Sequence, residues 1–229
     1  MLATGKQKLT QDLKRIEMMV GKLTPYLDNG PFPWPTSYTD LTAATPGNYL
    51  MRQNRLLALR STVLDVPAQD RLDIVVACFD RILYYNTEEF KRKIGQELEA
   101  RLQGWGEYVQ QLARGEIGTN RYEAEVENRV IIEDIFQKLC ILAEQPDPHI
   151  CEEMERLDLK LRQYWQSGKF TWPVEWQTAY PQSIYWWLYG QPRISTKARV
   201  NGGEQNTYIP QSHRRPAISP SLVAETGTA

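Results

Sequence analysis

From Leu9 the apolar positions run through Leu13, Ile16, Val20, Leu23 and Leu27, in alternating steps of four and three. That spacing is the seam of a helix packed on other helices. Pro25 falls in its last turn, and Asn29-Gly30 supplies the stop. Residues 31–46 (PFPWPTSYTDLTAATP) carry four prolines, so regular helix is excluded and an extended strap is predicted. Phe32, Trp34 and Tyr38 would hold that strap to its neighbours.

A second helix is predicted over about 47–64, with Leu50, Leu56, Leu57, Val63 and Leu64 as core candidates. The longest periodic stretch, 67–113, runs from Leu72, Val75, Phe79 and Leu83 to Phe90, Ile94, Leu98, Leu102, Trp105, Val109 and Leu112. It is either one long helix or two in line; in the second case the break falls at Asn86-Thr87, where Asn86 and Glu89 resemble a capping box. Gly104 and Gly106 beside Trp105 suggest close approach by another backbone. A further helix over about 119–143 has a wide apolar face, from Tyr122 and Val126 to Ile135 and Leu139. Asp147 and Pro148 then read as N-cap and first helical residue of a helix carrying Ile150, Met154, Leu157, Leu161 and Tyr164, which Gly168 ends.

Short connections between these helices favour antiparallel neighbours. The fold class expected is all-α: an antiparallel up-and-down helical bundle over 1–167, with the strap inside it. An irregular aromatic-rich cap at 168–193 (KFTWPVEWQTAYPQSIYWWLYGQP and its flanks) is expected to pack on the bundle, with one short helix near 181–188. Residues 194–229, rich in Ser, Thr, Gly and Pro, read as a disordered tail.

Composition narrows the function classes. The formal charge is −1, which removes the basic excess of a protein devoted to nucleic acid. Hydrophobic residues at 41% and charged residues at 24% are ordinary for a globular chain. Cys78, Cys140 and Cys151 do not form a disulfide framework, no apolar run is long enough to span a membrane, and the N-terminus has no signal-peptide core. A cytoplasmic protein without a transmembrane segment is therefore expected.

The search for chemistry returns little. Phosphate-binding glycine loops and the G-x-S-x-G elbow are missing, and His149 and His213 are the chain's two histidines. Cys140, His149, Cys151 and Glu152 could meet at a helical corner, but their spacing is not that of a zinc site. Glu123-Glu125-Glu127, Glu133-Asp134 and Glu152-Glu153-Glu155 read as solvated faces, with pairs such as Glu125 and Arg129. Arg52, Arg55 and Arg60, and Lys91, Arg92, Lys93 with Arg101, read as exposed basic faces. No catalytic residue, cofactor or metal is assigned.

The unusual feature is aromatic. Five of the chain's seven tryptophans lie between Trp165 and Trp187. Such a cluster either closes a core, presents a docking surface or lines a ligand groove. Closing the fold is its first expected role. The functional expectation is a non-enzymatic interaction or scaffolding protein, binding a protein partner or a second copy of itself through heptad seams and through Trp172, Trp176, Tyr185, Trp186, Trp187 and Tyr189. Two alternatives stand beside it. One is an enzyme or small-molecule binder with a pocket between bundle and cap, lined by Trp172, Trp176, Tyr185 and Trp186. The other is a nucleic-acid adaptor using Arg52, Arg55 and the basic group at 91–93.

Overall fold

A computed structural model of the chain describes residues 4–29, 45–117 and 119–193. The tail, and the strap apart from Thr45 and Pro46, lie outside the described residues. The helices are α1 (Gly5–Val20), α2 (Leu23–Asn29), α3 (Pro46–Ala58), α4 (Arg60–Val63), α5 (Val66–Tyr85), α6 (Thr87–Arg114), α7 (Tyr122–Ile141) and α8 (Pro148–Arg162).

Local chemistry sets most of their ends. Thr4 and Gln7 form a reciprocal capping box at the start of α1. Asp65 accepts from the Ala68 N–H at the start of α5, and Asp147 from the His149 N–H at 2.8 Å at the start of α8. Gly115, with φ of 71°, ends α6 in the left-handed conformation that glycine adopts without strain. The seam that begins at Leu9 is divided at Gly21-Lys22, yet Leu23, Tyr26 and Leu27 of α2 continue its burial.

The long periodic stretch is two helices, α5 and α6, parted at Asn86. Its expected capping box is not formed: the Asn86 amide turns back to donate to the Ile82 carbonyl at 2.8 Å and makes no cap bond to α6. Asn86 therefore starts α6 through its carbonyl, which accepts from the Phe90 N–H at 2.9 Å, while its side chain finishes α5.

The bundle is built around α7, which packs against both α6 and α3, while α3 also meets α1 and α6 also meets α8. Residues 129–135 of α7 are buried in unbroken succession, as expected of a helix covered on several sides rather than on one stripe. No described helix is long and apolar enough to cross a membrane. A Cβ at Gly106 would meet the Leu157 side chain of α8 at 3.6 Å and one at Gly104 the Asn128 amide at 4.0 Å, so it is side chains, not the expected backbone, that lie against both glycines.

Gly47 is where close approach matters. A Cβ there would stand 2.5 Å from Ile131 Cγ2 and 2.8 Å from Glu97 Oε1, with α3 pressed onto α6 and α7. Gly47→Ala is expected to lower the unfolding free energy by about 1–3 kcal/mol through overpacking. Urea denaturation measures this, and an unshifted midpoint would show that the contact yields freely.

The chain after α8 departs from the sequence reading. Trp165–Ser167 (β1) and Gly190–Pro192 (β2) form an antiparallel pair with Trp165 opposite Pro192 and Ser167 opposite Gly190. The helix before it consequently stops at Arg162, and the chain is extended by 165. Between the strands the backbone makes two 3₁₀ turns, Val174–Ala179 and Trp186–Leu188, in place of the helix expected near 181–188. Tyr185 and Trp187 of this stretch are both buried.

Candidate functional site

The closing segment is held to the bundle by rings and cations that the local sequence does not pair. Trp176, Trp172, Tyr180, Tyr185, Trp187, Trp186 and Trp165 meet in succession edge to face, with centroids 5.1–6.0 Å apart. This is the arrangement that aromatic quadrupoles favour. Three guanidinium groups lie on its tryptophans: Arg55 at 3.8 Å from the Trp176 centroid, Arg129 at 3.6 Å from Trp187 and Arg162 at 3.8 Å from Trp186.

Polar groups of the segment also find partners on the helices. The Trp176 indole N–H donates to the Gly5 carbonyl at 3.1 Å, and the Trp172 N–H to Glu123 at 3.3 Å. Tyr122 donates to the Trp187 carbonyl at 2.5 Å, and Tyr189 to the Tyr180 carbonyl at 2.7 Å. Of the six residues predicted to bind a partner, Trp172, Trp176, Tyr185 and Trp187 are buried, while Trp186 and Tyr189 are half-buried. All six have ring or hydrogen-bond contacts inside the chain.

Beneath this closure lies a set of internal charges. Asp12 of α1 is buried against Arg52 and Arg55 of α3; Arg52 Nε lies 3.2 Å away and Arg55 is hydrogen-bonded to it. Arg55 also donates to the Tyr180 hydroxyl at 3.2 Å, so helix, helix and closing segment meet on one guanidinium. Burial pulls Arg52 down from its ordinary range, with Asp12 opposing that pull. Arg129 has no exposed surface; it donates to Asp158 of α8 at 3.0 and 2.9 Å and to Glu133 at 3.2 Å.

Glu97 of α6 ties down the beginning of α3. It accepts from Thr45 Oγ1, from the Gly47 N–H at 2.7 Å and from Arg101 at 3.1 and 3.2 Å. Burial pushes its carboxyl up, against the stabilising Arg101, Thr45 and Gly47. Asp134 of α7 accepts from Tyr185 at 2.8 Å and from Asn54 at 3.2 Å, and its second oxygen is buried without a hydrogen-bond partner. Burial pushes that carboxyl up to about 6. Although such a value suits proton transfer, Asp134 is 1% exposed. The group is enclosed between α3, α7 and the closing segment.

These placements correct several readings of the sequence. Arg52, Arg55 and Lys93 are buried rather than on exposed basic faces, which removes Arg52 and Arg55 from any surface that could meet phosphates. Glu133 and Asp134 are buried rather than solvated. Arg129 pairs with Glu133 and Asp158, while Glu125 pairs with Arg121 at 2.5 Å. His149 and Cys140 are exposed, and among the described residues no three His, Cys, Asp or Glu side chains gather as a metal would require.

A cleft of about 510 Å³ opens beside the start of α7 and the β1–β2 pair, lined by Asn120, Glu123, Gln166, Lys169, Phe170 and Gln191 among others. It shares no residue with the pocket expected from Trp172, Trp176, Tyr185 and Trp186. Its charged groups, Glu123 and Lys169, are both exposed.

The other surface feature is on α5, which buries Leu72, Val75, Phe79 and Leu83 on one side. Val66, Ile74, Tyr84 and Tyr85 are 69, 63, 79 and 77% exposed elsewhere on the same helix. Near its C-terminal end Asp80 meets Lys138 of α7, which also brings exposed Ile141 to this part of the bundle. The fold is an all-α bundle with buried ion pairs inside an apolar core, closed by an aromatic segment, and α5 exposes large apolar side chains among charged ones. The chain matches no protein-family model, no curated protein and no solved structure.

Proposed function

We propose that this chain is a non-enzymatic helical interaction protein, and that it docks a protein partner through the outer face of α5. One observation carries the reading. Four large apolar or aromatic side chains, Val66, Ile74, Tyr84 and Tyr85, stand in solvent on a helix whose opposite side is fully used by the core. Exposed apolar groups grouped on one element mark docking surfaces, and tyrosine is among the residues that anchor them.

The six aromatic residues expected from sequence to bind a partner have a different role in this proposal, because their contacts are made inside the chain. They hold the closing segment, and α5 remains free for association. The cytoplasmic location expected from the sequence belongs to the same reading.

Photo-crosslinking tests it. With p-benzoylphenylalanine at position 84, irradiation of cells that naturally make the chain is expected to give a protein adduct of discrete mass. The same probe at Glu155, an exposed position of α8, should give none. Absence of an adduct from both position 84 and position 85 would end the proposal.

A further inference from the structure

Resting on that reading, we infer that the partner of α5 is a second copy of this chain, paired antiparallel along the seam Asp70, Ile74, Ala77, Arg81 and Tyr84. Steps of four, three, four and three set these positions on one stripe of the helix, with Ile74, Ala77 and Tyr84 as its apolar members and Asp70 and Arg81 as its charges. All five are exposed. The helix thus carries two seams, one buried in its own bundle and one in solvent.

The charges choose the orientation. Asp70 and Arg81 are exposed, and neither has an ion pair among the described residues. In a parallel pair, equivalent residues face each other, so Asp70 would meet Asp70 and Arg81 would meet Arg81. In an antiparallel pair whose twofold axis passes midway between Ile74 and Ala77, Asp70 faces Arg81 of the other copy. The same register sets Ile74 against Ala77, a large residue against a small one, and Tyr84 against Pro67 in the first turn. Each of these contacts occurs twice, as a twofold interface requires. One register therefore satisfies charge, size and symmetry together, over a helix of about 30 Å.

Sedimentation velocity of the full chain over a concentration series tests the pairing. The wild type is expected to dimerise. Asp70→Arg and Arg81→Asp should each weaken the dimer by about tenfold or more, because either change sets two like-charge pairs across the interface. The double variant restores both pairs in reversed sense and should recover wild-type association. Both positions are exposed, so circular dichroism should show an unchanged fold. A monomeric wild type, single variants that associate normally, or a double variant as weak as the singles would overturn the inference. The crosslink from position 84 separates this from the broader proposal. An adduct with a different protein, together with a monomeric chain, removes self-pairing and keeps docking, whereas no adduct removes both.

Discussion

Arg129→Ala is expected to lower the unfolding free energy by about 3–5 kcal/mol, the cost of leaving buried charges uncompensated. Arg129 has no exposed surface, and it neutralises Asp158 and Glu133 while covering the Trp187 ring at 3.6 Å. Its removal takes two charge-assisted hydrogen bonds from Asp158 and one from Glu133 at the junction of α7 and α8, and leaves a gap under the closing segment. Arg129→Lys should recover only part of the loss. Lysine keeps the charge but lacks the planar fork that serves Asp158 with two donors, and it stacks less well on an indole. Urea denaturation of the three proteins tests the account. A loss below about 1 kcal/mol for the alanine variant would place Arg129 among ordinary surface ion pairs.

The second large effect concerns pH. Burial raises the Asp134 carboxyl to about 6 from an ordinary 3.8, so the native state holds this proton more tightly than the unfolded chain does. Its contribution to stability is therefore fully present below about pH 4 and is lost as the pH rises through about 6. The shift corresponds to about 3 kcal/mol. Asp134→Asn retains an oxygen that can accept from Tyr185 and Asn54 but cannot ionise. The variant is expected to be close to wild type near pH 4 and more stable than it above pH 7, by about 2–3 kcal/mol. Glu97 is raised by burial in the same direction, but it is present in both proteins and cancels in the comparison. Parallel stability profiles for the two proteins between pH 4 and 8 would show that Asp134 is not the titrating group.

Both effects arise from residues that sequence spacing assigned to solvent. The rule that pairs charges three or four positions apart is local. It suggested Glu125 for Arg129, whereas half of the answer is Asp158, 29 positions away on another helix. Arg55 likewise finds its partners in Asp12 and Tyr180, at separations of 43 and 125. A buried arginine and an exposed one look alike until the chain has folded around them. The signal that could have raised suspicion was α7 itself, where Val130, Ile131, Ile132 and Ile135 surround Glu133 and Asp134 too broadly for a helix with a solvated side.

What the sequence determined alone was the all-α class and most helix ends. Seams at helical spacing require a partner face wherever they occur, and caps such as Asp65 and Asp147 act on backbone groups within a few residues. The place of the break between α5 and α6, one of two alternatives, was legible at Asn86-Thr87, but its cause was not: both side chains bond to the preceding turn instead of forming a capping box. Tertiary structure decided the rest. The β1–β2 pair is too short to have a period and forms only because distant residues meet. The aromatic cluster's rings had no readable direction until Arg55, Arg129 and the helix backbones gave them partners, which turned the compositional oddity into a closure. The buried face of α5 was legible, since Leu72, Val75, Phe79 and Leu83 stand at helical spacing, but only the packed structure showed that Ile74, Tyr84 and Tyr85 stay in solvent.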